Sequence, residues 1–454
     1  MTKKALEMLV LQLQEENKRL KEENAYLKFE LEEFKSKHYK SGRKKPPDAP
    51  GAPASIPKKR GGLFGHIGWF RKKPRSIDKV EELRLSSCPE CGSSDITECE
   101  KTEEHIQEDI VLPRVETTMY RRHYYYCKSC KKVVSPKGKD EMLKSCIGPK
   151  AKAFAVFLRY VVKISMQDVT SLFSKVFNLK IVPSSIALFR DALKKEALPI
   201  YDKLKESLRK GSFIHADETG WKVDGKNHWL WKFSNKKTCV SHIDPQRGQK
   251  VVKDIIGDEY KGVLISDFLS AYNKIKAKAK QRCLVHIGRD IEKVIDSWQD
   301  DDKEVITYCE RLKKILKDAM SLYNEYKNKR RDGVYYKRRQ ALTECLGDFS
   351  FPNPNKRILK RFAKRLKRHK NEILTFLYEK NVDYHNNHAE QQIRPDVIFR
   401  KITFGNRSPK GAQAHSVIMS ILQTAKLNKI DPIPLLENIL LRSKQNPLPK
   451  ALSP

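Results

Sequence analysis

No stretch of this 454-residue chain approaches 18 uncharged apolar residues, so no segment reads as a helix able to span a bilayer. The first residues, MTKKALEMLVLQLQEEN, hold a basic pair but break into acids where a secretory leader needs an apolar segment. Neither secretion nor membrane insertion is expected. Acidic residues are also scarce, 56 Asp and Glu against 92 Lys and Arg, which leaves a net charge of +36. A surplus of that size draws the chain to polyanions and makes affinity fall steeply with salt, without telling DNA from RNA. The marks of wholesale disorder are few. With 39% hydrophobic residues the chain can build one large core plus smaller modules, three or four domains in all. Ten cysteines in a chain of cytosolic character point to metal ligation and buried thiols instead of disulfides.

Residues 1–36 carry a heptad repeat. Leu6, Leu13, Leu20, Leu27 and Phe34 fall at d, with Val10, Asn17, Asn24 and Leu31 at a. Five filled d positions favour a coiled coil over a solvent-exposed single helix, and Asn at two a positions specifies a parallel dimer. Only Lys3 and Lys4 precede the leucines, so this is not the layout of a basic zipper; it is an assembly device for a homodimer or higher oligomer. Residues 37–76 are rich in Pro, Gly and basic residues, a linker. Residues 77–148 then hold two CxxC knuckles, Cys88 with Cys91 and Cys127 with Cys130, spaced to wrap one structural Zn²⁺ in a ribbon whose strands bring the knuckles together. A redox pair is the rival, but neither knuckle opens a helix after a buried strand. Residues 149–210 turn helical, and QDVTSLFSKVFNLKIVPSSIALFRDALKK is patterned as helix, turn, helix from about Pro183, which suits either a DNA-reading unit or ordinary helix packing.

Three acids then stand in contexts suited to two-metal phosphodiester chemistry: Asp217 in FIHADETGW, Asp267 in GVLISDFLSAY and Glu390 in HNNHAEQQIRP. The apolar runs Phe213-Ile214 and Val263-Leu264-Ile265 predict buried strands that carry each aspartate to the rim of a sheet. Asn386 or Asn387 is placed to cap a short helix bearing Glu390, which Pro395 would kink or end. In-line displacement at phosphorus uses divalent ions about 3.5–4 Å apart, and hard ions such as Mg²⁺ or Mn²⁺ take carboxylates. Singly, each acid has a bland explanation as a solvated surface group. The neighbouring Glu218 and Asp396 are expected to point elsewhere. FIHAD, a turn at Asp224-Gly225, HWLWKF and TCVSHI predict a meander, followed by a helix over Gln249–Ile256 and the strand GVLISD. Trp229 and Trp231 alternate on one strand, where burial on both faces of a covered sheet outweighs stacking on a base.

The stretch between Asp267 and Glu390, 122 residues, is longer than such a core requires, and residues 291–380 read as a helical, basic insertion. Within it KRILKRFAKRLKRHK, residues 356–370, has nine Lys or Arg and no acid, with Ile358, Leu359, Phe362, Ala363 and Leu366 on one face. Lys356, Arg357, Lys360, Arg361, Lys364 and Arg365 are therefore candidate phosphate contacts. Arg394, Arg400 and Lys401, with Arg407 and Lys410, add candidates near the third acid, and FGNRSPKG between them is a loop. A charged face that is merely solvated is the alternative.

HADETGWKVDGKNHWLWKF, GVLISDFLSAYNKI, CLVHIGRD and NNHAEQQIRPDVIFRKITFGNRSPKGA, in that order, resemble the insertion-sequence-66 family of bacterial transposases, a branch of the DDE, RNase H-like group. The resemblance covers most of residues 1–440. It implies a multidomain α+β protein: coiled coil, zinc ribbon and helical DNA-binding region before an RNase H-like α/β catalytic core in two parts, 211–290 and 381–440, with a C-terminal tail at 441–454. It maps Asp217, Asp267 and Glu390 onto a catalytic triad holding Mg²⁺ or Mn²⁺, and Cys283 and His286 onto a CxxH that supports the active site. The resemblance implies DNA as partner, at element ends and target, accessory proteins of the same element as further partners, and a cytoplasmic location on the nucleoid. The rivals are an inactive relic, a DNA-binding regulator, or a nuclease that cuts without joining.

Overall fold

A computed structural model describes residues 3–38 and 149–441 except 298–302 and 348–356, with short pieces between 94 and 148. The linker, Cys88, Cys91, Cys130, Lys356 and the tail beyond 441 lie outside the described residues. Helix α1 spans Lys3–His38. Its d-position side chains Leu13, Leu20 and Leu27 are 56%, 50% and 54% exposed, so a single copy of the chain leaves that row uncovered. Strands β1 (Tyr125–Cys127) and β2 (Lys132–Val134) pair antiparallel, with Cys127 opposite Lys132. Cys127 thus ends a strand of a hairpin.

Helix α2 (Pro149–Phe157) runs on into a π-helical turn, and α3 (Met166–Phe177) and α4 (Pro183–Arg209) follow. Ser165 and Asp168 close a capping box at the start of α3. The helix-turn-helix pattern is thus present, but α4 commits Ile186, Phe189, Leu193, Ile200 and Leu204 to the same core as the sheet.

The sheet contains β3 (Phe213–Val223), β4 (Lys226–Ser234), β5 (Cys239–Asp244), β6 (Glu259–Ser266) and β7 (Lys276–Arg282), in the order β5-β4-β3-β6-β7. The first three form an antiparallel meander, and β6 and β7 add parallel to β3. Asp224 and Gly225, with φ of 51° and 72°, make the two-residue turn between β3 and β4 that the sequence predicted. Helix α5 (Gln249–Ile256) connects β5 to β6. Strand β7 was not foreseen: KAKAKQR looks polar, but it is an edge strand, where lysines discourage pairing with other chains.

Both faces of the sheet are covered, which is why the paired stretches of β3 and β6 are apolar runs and not alternating ones. Ile214 and Leu264 enter the cluster with α4 and α12, whereas Phe213, Val263 and Ile265 enter a second cluster with the insertion helices. These are α6 (Leu284–Ser297), α7 (Lys303–Tyr326), α8 (Gly333–Gly347), α9 (Arg357–Ile373) and α10 (Thr375–Tyr378). Helices α11 (Asn387–Thr403), α12 (Pro409–Leu427) and α13 (Pro432–Leu441) complete the fold. Pro395 lies inside α11 and does not end it, contrary to the expectation of a short helix.

The outer edge of β5 is closed by hydroxyls of α12. Ser416, Ser420 and Thr424 accept from the backbone N–H groups of Ile243, Ser241 and Cys239 at 3.1, 2.8 and 3.0 Å. Four helical residues rise about 6 Å and two strand residues about 6.6 Å, so a hydroxyl every fourth residue meets every second amide.

Candidate active site

The β3–β6 ladder pairs Phe213 with Val263, Ile214 with Leu264 and His215 with Ile265, a constant offset of 50. The ladder ends there, with Asp217 two residues further along β3 and Asp267 just past the end of β6 at Ser266. Neighbouring strands lie about 4.8 Å apart, and level residues of a parallel pair project to the same face. The third acid arrives on α11, which packs across β3 and β4. Glu390 sits in the first turn of α11, at the positive end of the helix dipole.

The docking of that helix is fixed by Asn386, which the sequence suggested as a capping residue. It occupies the N-cap position, but its side chain makes no capping bond. It is buried, and its Nδ2 donates to the Ala216 carbonyl at 2.8 Å while its Oδ1 meets His215 Nδ1 at 3.1 Å. Its backbone N–H donates to Cys283 Sγ at 3.3 Å. The residue before α11 is thereby tied to the residue before Asp217 and to the residue that opens α6. Burial holds His215 down at about 4, with the His388 charge acting in the same direction, so it is neutral here and its Nδ1 carries the proton donated to Asn386.

Burial pushes the Asp217 carboxyl well above the usual range, and the charges of Glu218, Asp267 and Glu390 push it further. Both other predicted acids thus act on Asp217. Among the described residues no set of three or more His, Cys, Asp or Glu side chains is gathered as a metal-ligand group. A half-buried oxygen ligand raised by three neighbouring carboxylates is nonetheless the donor chemistry that suits a hard divalent cation, which would relieve the repulsion.

Asp267 is braced from behind. Its Oδ1 accepts from the Leu269 N–H at 2.9 Å, and its carbonyl accepts from Arg282 Nη1 at 2.7 Å. Arg282 is fully buried and also bonds Glu372 at 2.6 Å and Asn273 at 2.9 Å. Burial alone would raise Glu372, but the bond from His369 and the Arg282 charge lower it to about 2. None of these residues announces itself in the sequence; Arg282 ends the polar strand that was missed.

Glu218 does not stand aside. Its side chain is 2% exposed and accepts from Arg247 at 2.7 Å and from Tyr272 at 3.1 Å. Burial and then the Asp267 charge raise its carboxyl. Arg247 also lies 4.2 Å over the ring of Trp229, while Trp231 is wholly in the core. Cys283 and His286 fall at the start of α6. Burial lowers the His286 ring and the charges of Asp267 and Glu390 pull it back, which puts it within their field. Its Nδ1 is buried with no partner among the described residues.

The basic residues divide. Lys360 and Lys364 are exposed on α9, with Leu359, Phe362, Ala363 and Leu366 buried behind them as the pattern predicted. Arg394 and Lys401 are exposed on α11. Arg365 is instead a tie between helices: it pairs with Asp290 of α6 at 2.7 Å and covers Phe268 at 4.9 Å. Arg400 is half-buried and donates to Thr219 Oγ1 at 3.1 Å and to the Gly220 carbonyl, which fastens α11 to β3. Both arginines thus already hold partners within the fold. Arg357 and Arg361 are in α9, and their side chains lie outside the described residues.

The family model described as "Transposase IS66 family" matches residues 144–414. The uncharacterized protein y4qI of Sinorhizobium fredii is 22% identical over 428 residues, which cover 87% of this chain and 76% of that protein.

Proposed function

The chain belongs to the IS66 family of transposases, and on that premise we propose that it binds the ends of an insertion sequence and carries out metal-dependent DNA cleavage and strand transfer. The observation that carries this reading is the parallel pairing of His215 with Ile265, two residues before Asp217 and Asp267, joined by the charge that Asp267 and Glu390 exert on Asp217. The sheet order, an antiparallel meander continued by two parallel strands, supports an RNase H-like core interrupted by the helical insertion.

In this reading Asp217, Asp267 and Glu390 hold Mg²⁺ or Mn²⁺, which when bound stabilises the attacking and leaving oxygens of an in-line displacement. Asn386 and Arg400 keep α11, and with it Glu390, against β3. Arg282 fixes the strand end that bears Asp267. Water attacks phosphorus at the element end and frees a 3′-hydroxyl, which then attacks a phosphodiester of the target. Lys360, Lys364, Arg394 and Lys401 are the exposed cations suited to the phosphates. The test is a strand-transfer assay on DNA carrying the inverted repeats that flank the gene, with Mg²⁺. Joined product is expected; cutting without joining would leave a nuclease, and neither would leave a DNA-binding relic or regulator.

The same reading assigns Cys88, Cys91, Cys127 and Cys130 to one Zn²⁺, a ribbon supported by two CxxC knuckles and by Cys127 at a hairpin strand end. Purified protein is expected to hold about one equivalent of zinc and to lose it when any of the four is changed to Ser, with the sheet still folded. Metal analysis that finds no zinc in the wild type removes the assignment.

Dimerisation through α1 is supported by the uncovered row of Leu13, Leu20 and Leu27. Leu13→Glu with Leu20→Glu is expected to turn a peptide of residues 1–36 from dimer to monomer in sedimentation, because each d side chain packs into a hole made by its partner. A wild-type peptide that is already monomeric contradicts the proposal.

A further inference from the structure

The end of α11 presents a residue that the fold does not use. Phe404 follows the last residue of the helix with φ of 59°, in the left-handed region, and its N–H closes the helix on the Arg400 carbonyl at 2.7 Å. Helices end this way most often with Gly, because a Cβ makes the conformation costly, and Asn is the usual second choice. A phenylalanine here repays none of that cost by burial, since it is 78% exposed. Both terms argue against this residue on grounds of stability.

The position is also held rigidly. Gly405 has φ of 112°, and a Cβ on it would collide with the Lys222 carbonyl oxygen, so the chain lies directly against β3. The Asn406 N–H donates to Lys222 O at 2.9 Å, its carbonyl accepts from the Asp224 N–H at 2.8 Å, and its Oδ1 accepts from Trp221 Nε1 at 2.8 Å. The backbone that bears an exposed aromatic ring is thus fixed on two sides, by a helix end and by a strand. Lys222, five residues beyond Asp217 on β3, is about 17 Å from it along the strand, the length of roughly five stacked bases. Lys222, Lys226, Lys401 and Arg407 are exposed around this end, against one exposed acid of the hairpin, Asp224.

We propose that Phe404 is a stacking platform for an unpaired nucleobase of the DNA whose backbone runs to the acids. The ring has the π-face that any base accepts, and the surrounding cations suit its phosphates. A base lifted from the stack about five nucleotides from the reacting phosphate would be captured here, favouring a locally opened duplex over a fully paired one. This rests on the transposase reading but is separable from it.

The test uses full-length protein, DNA duplexes of arbitrary sequence that are fully paired or carry one 2-aminopurine opposite an abasic site, and the variants Phe404→Asn and Phe404→Trp. Wild type is expected to prefer the opened duplex by about tenfold, the worth of one stacked base, and to quench 2-aminopurine. Phe404→Asn should lose both the preference and the quench while melting no lower than wild type, because Asn suits the left-handed backbone; Phe404→Trp should keep both. Stacking is overturned if Phe404→Asn retains the preference, if it melts lower, or if it changes self-association and leaves DNA binding alone. A wild type that binds both duplexes equally also overturns it and leaves the transposase reading intact. A wild type that binds neither ends that reading as well.

Discussion

Asp217→Asn, Asp267→Asn and Glu390→Gln are each expected to lower cleavage and strand transfer by about a thousandfold or more, while DNA binding persists or rises slightly. Each change keeps size and hydrogen-bonding shape but removes a charge that neutralises divalent ions, a contribution of several kcal/mol to the transition state, and each 1.36 kcal/mol is tenfold in rate. Asp217→Asn has a second expected effect. Because burial and the charges of Glu218, Asp267 and Glu390 raise the Asp217 carboxyl well above its ordinary value, the ionised residue destabilises the metal-free fold. Asp217→Asn should therefore melt higher than wild type without divalent ions, and the advantage should shrink when Mg²⁺ is added. The pH dependence has a definite sign. Folding raises this carboxyl, so the folded state binds more protons, and its contribution to stability falls as pH rises from the ordinary value of about 3.9 through the raised one. Asp224→Asn is the control, an exposed acid at a hairpin turn where Asn fits the positive φ. Full activity in any of the three variants sinks the assignment, as does loss of DNA binding together with activity.

Much of this site was legible because strands that deliver carboxylates are short apolar runs, and their identity does not depend on what packs against them. FIHAD and GVLISD form β3 and β6 as read, and Asp224-Gly225 makes the turn. What the sequence did not yield was the second layer. Arg282 lies in an edge strand whose lysines mask its period, and its partners Glu372 and Asn273 come from separate elements. Asn386 has the composition of a helix cap, and only the contact of α11 with β3 turns its amide toward His215 and Ala216. Arg365 and Arg400, where a high density of basic residues suggested phosphate contacts, also have partners in the fold that density does not foretell. Periodicity assigns a residue to a face of a helix but does not say what that face meets, and here Asp290 and the Gly220 carbonyl meet these two. Asp396 points away from the triad as expected, into the core against Lys232 and His415, whereas Glu218 lies in the field of Asp267.

Asp396→Asn is expected to be among the most destabilising single changes in the chain. Asp396 is wholly buried, with Lys232 Nζ at 2.6 Å and His415 Nε2 at 2.9 Å, all three at 0% exposure. Burial raises its carboxyl, but the Lys232 charge and the bond to His415 outweigh that and keep it ionised. Burial also keeps His415 from charging, so its Nε2–H donates to Asp396 and the net charge of the trio is zero. Asparagine would fill the same space and leave the Lys232 ammonium inside the protein with Ser241 Oγ, at 2.5 Å, as its remaining neutral partner. Breaking a buried pair from one side costs about 3–5 kcal/mol, which for a domain of this size lowers the melting temperature by about 10 °C. Removing both charges is far milder, because well-packed apolar replacements of buried pairs are often neutral. Lys232→Met combined with Asp396→Leu should therefore recover most of the loss, a coupling that a double-mutant cycle reads directly. Activity should follow stability, since Asp396 lies six residues after Glu390 on α11 and takes no part in the chemistry. A melting temperature for Asp396→Asn equal to that of wild type would show that the pair is not holding the helix. Activity lost in the double variant despite restored folding would show that Asp396 acts in the reaction itself.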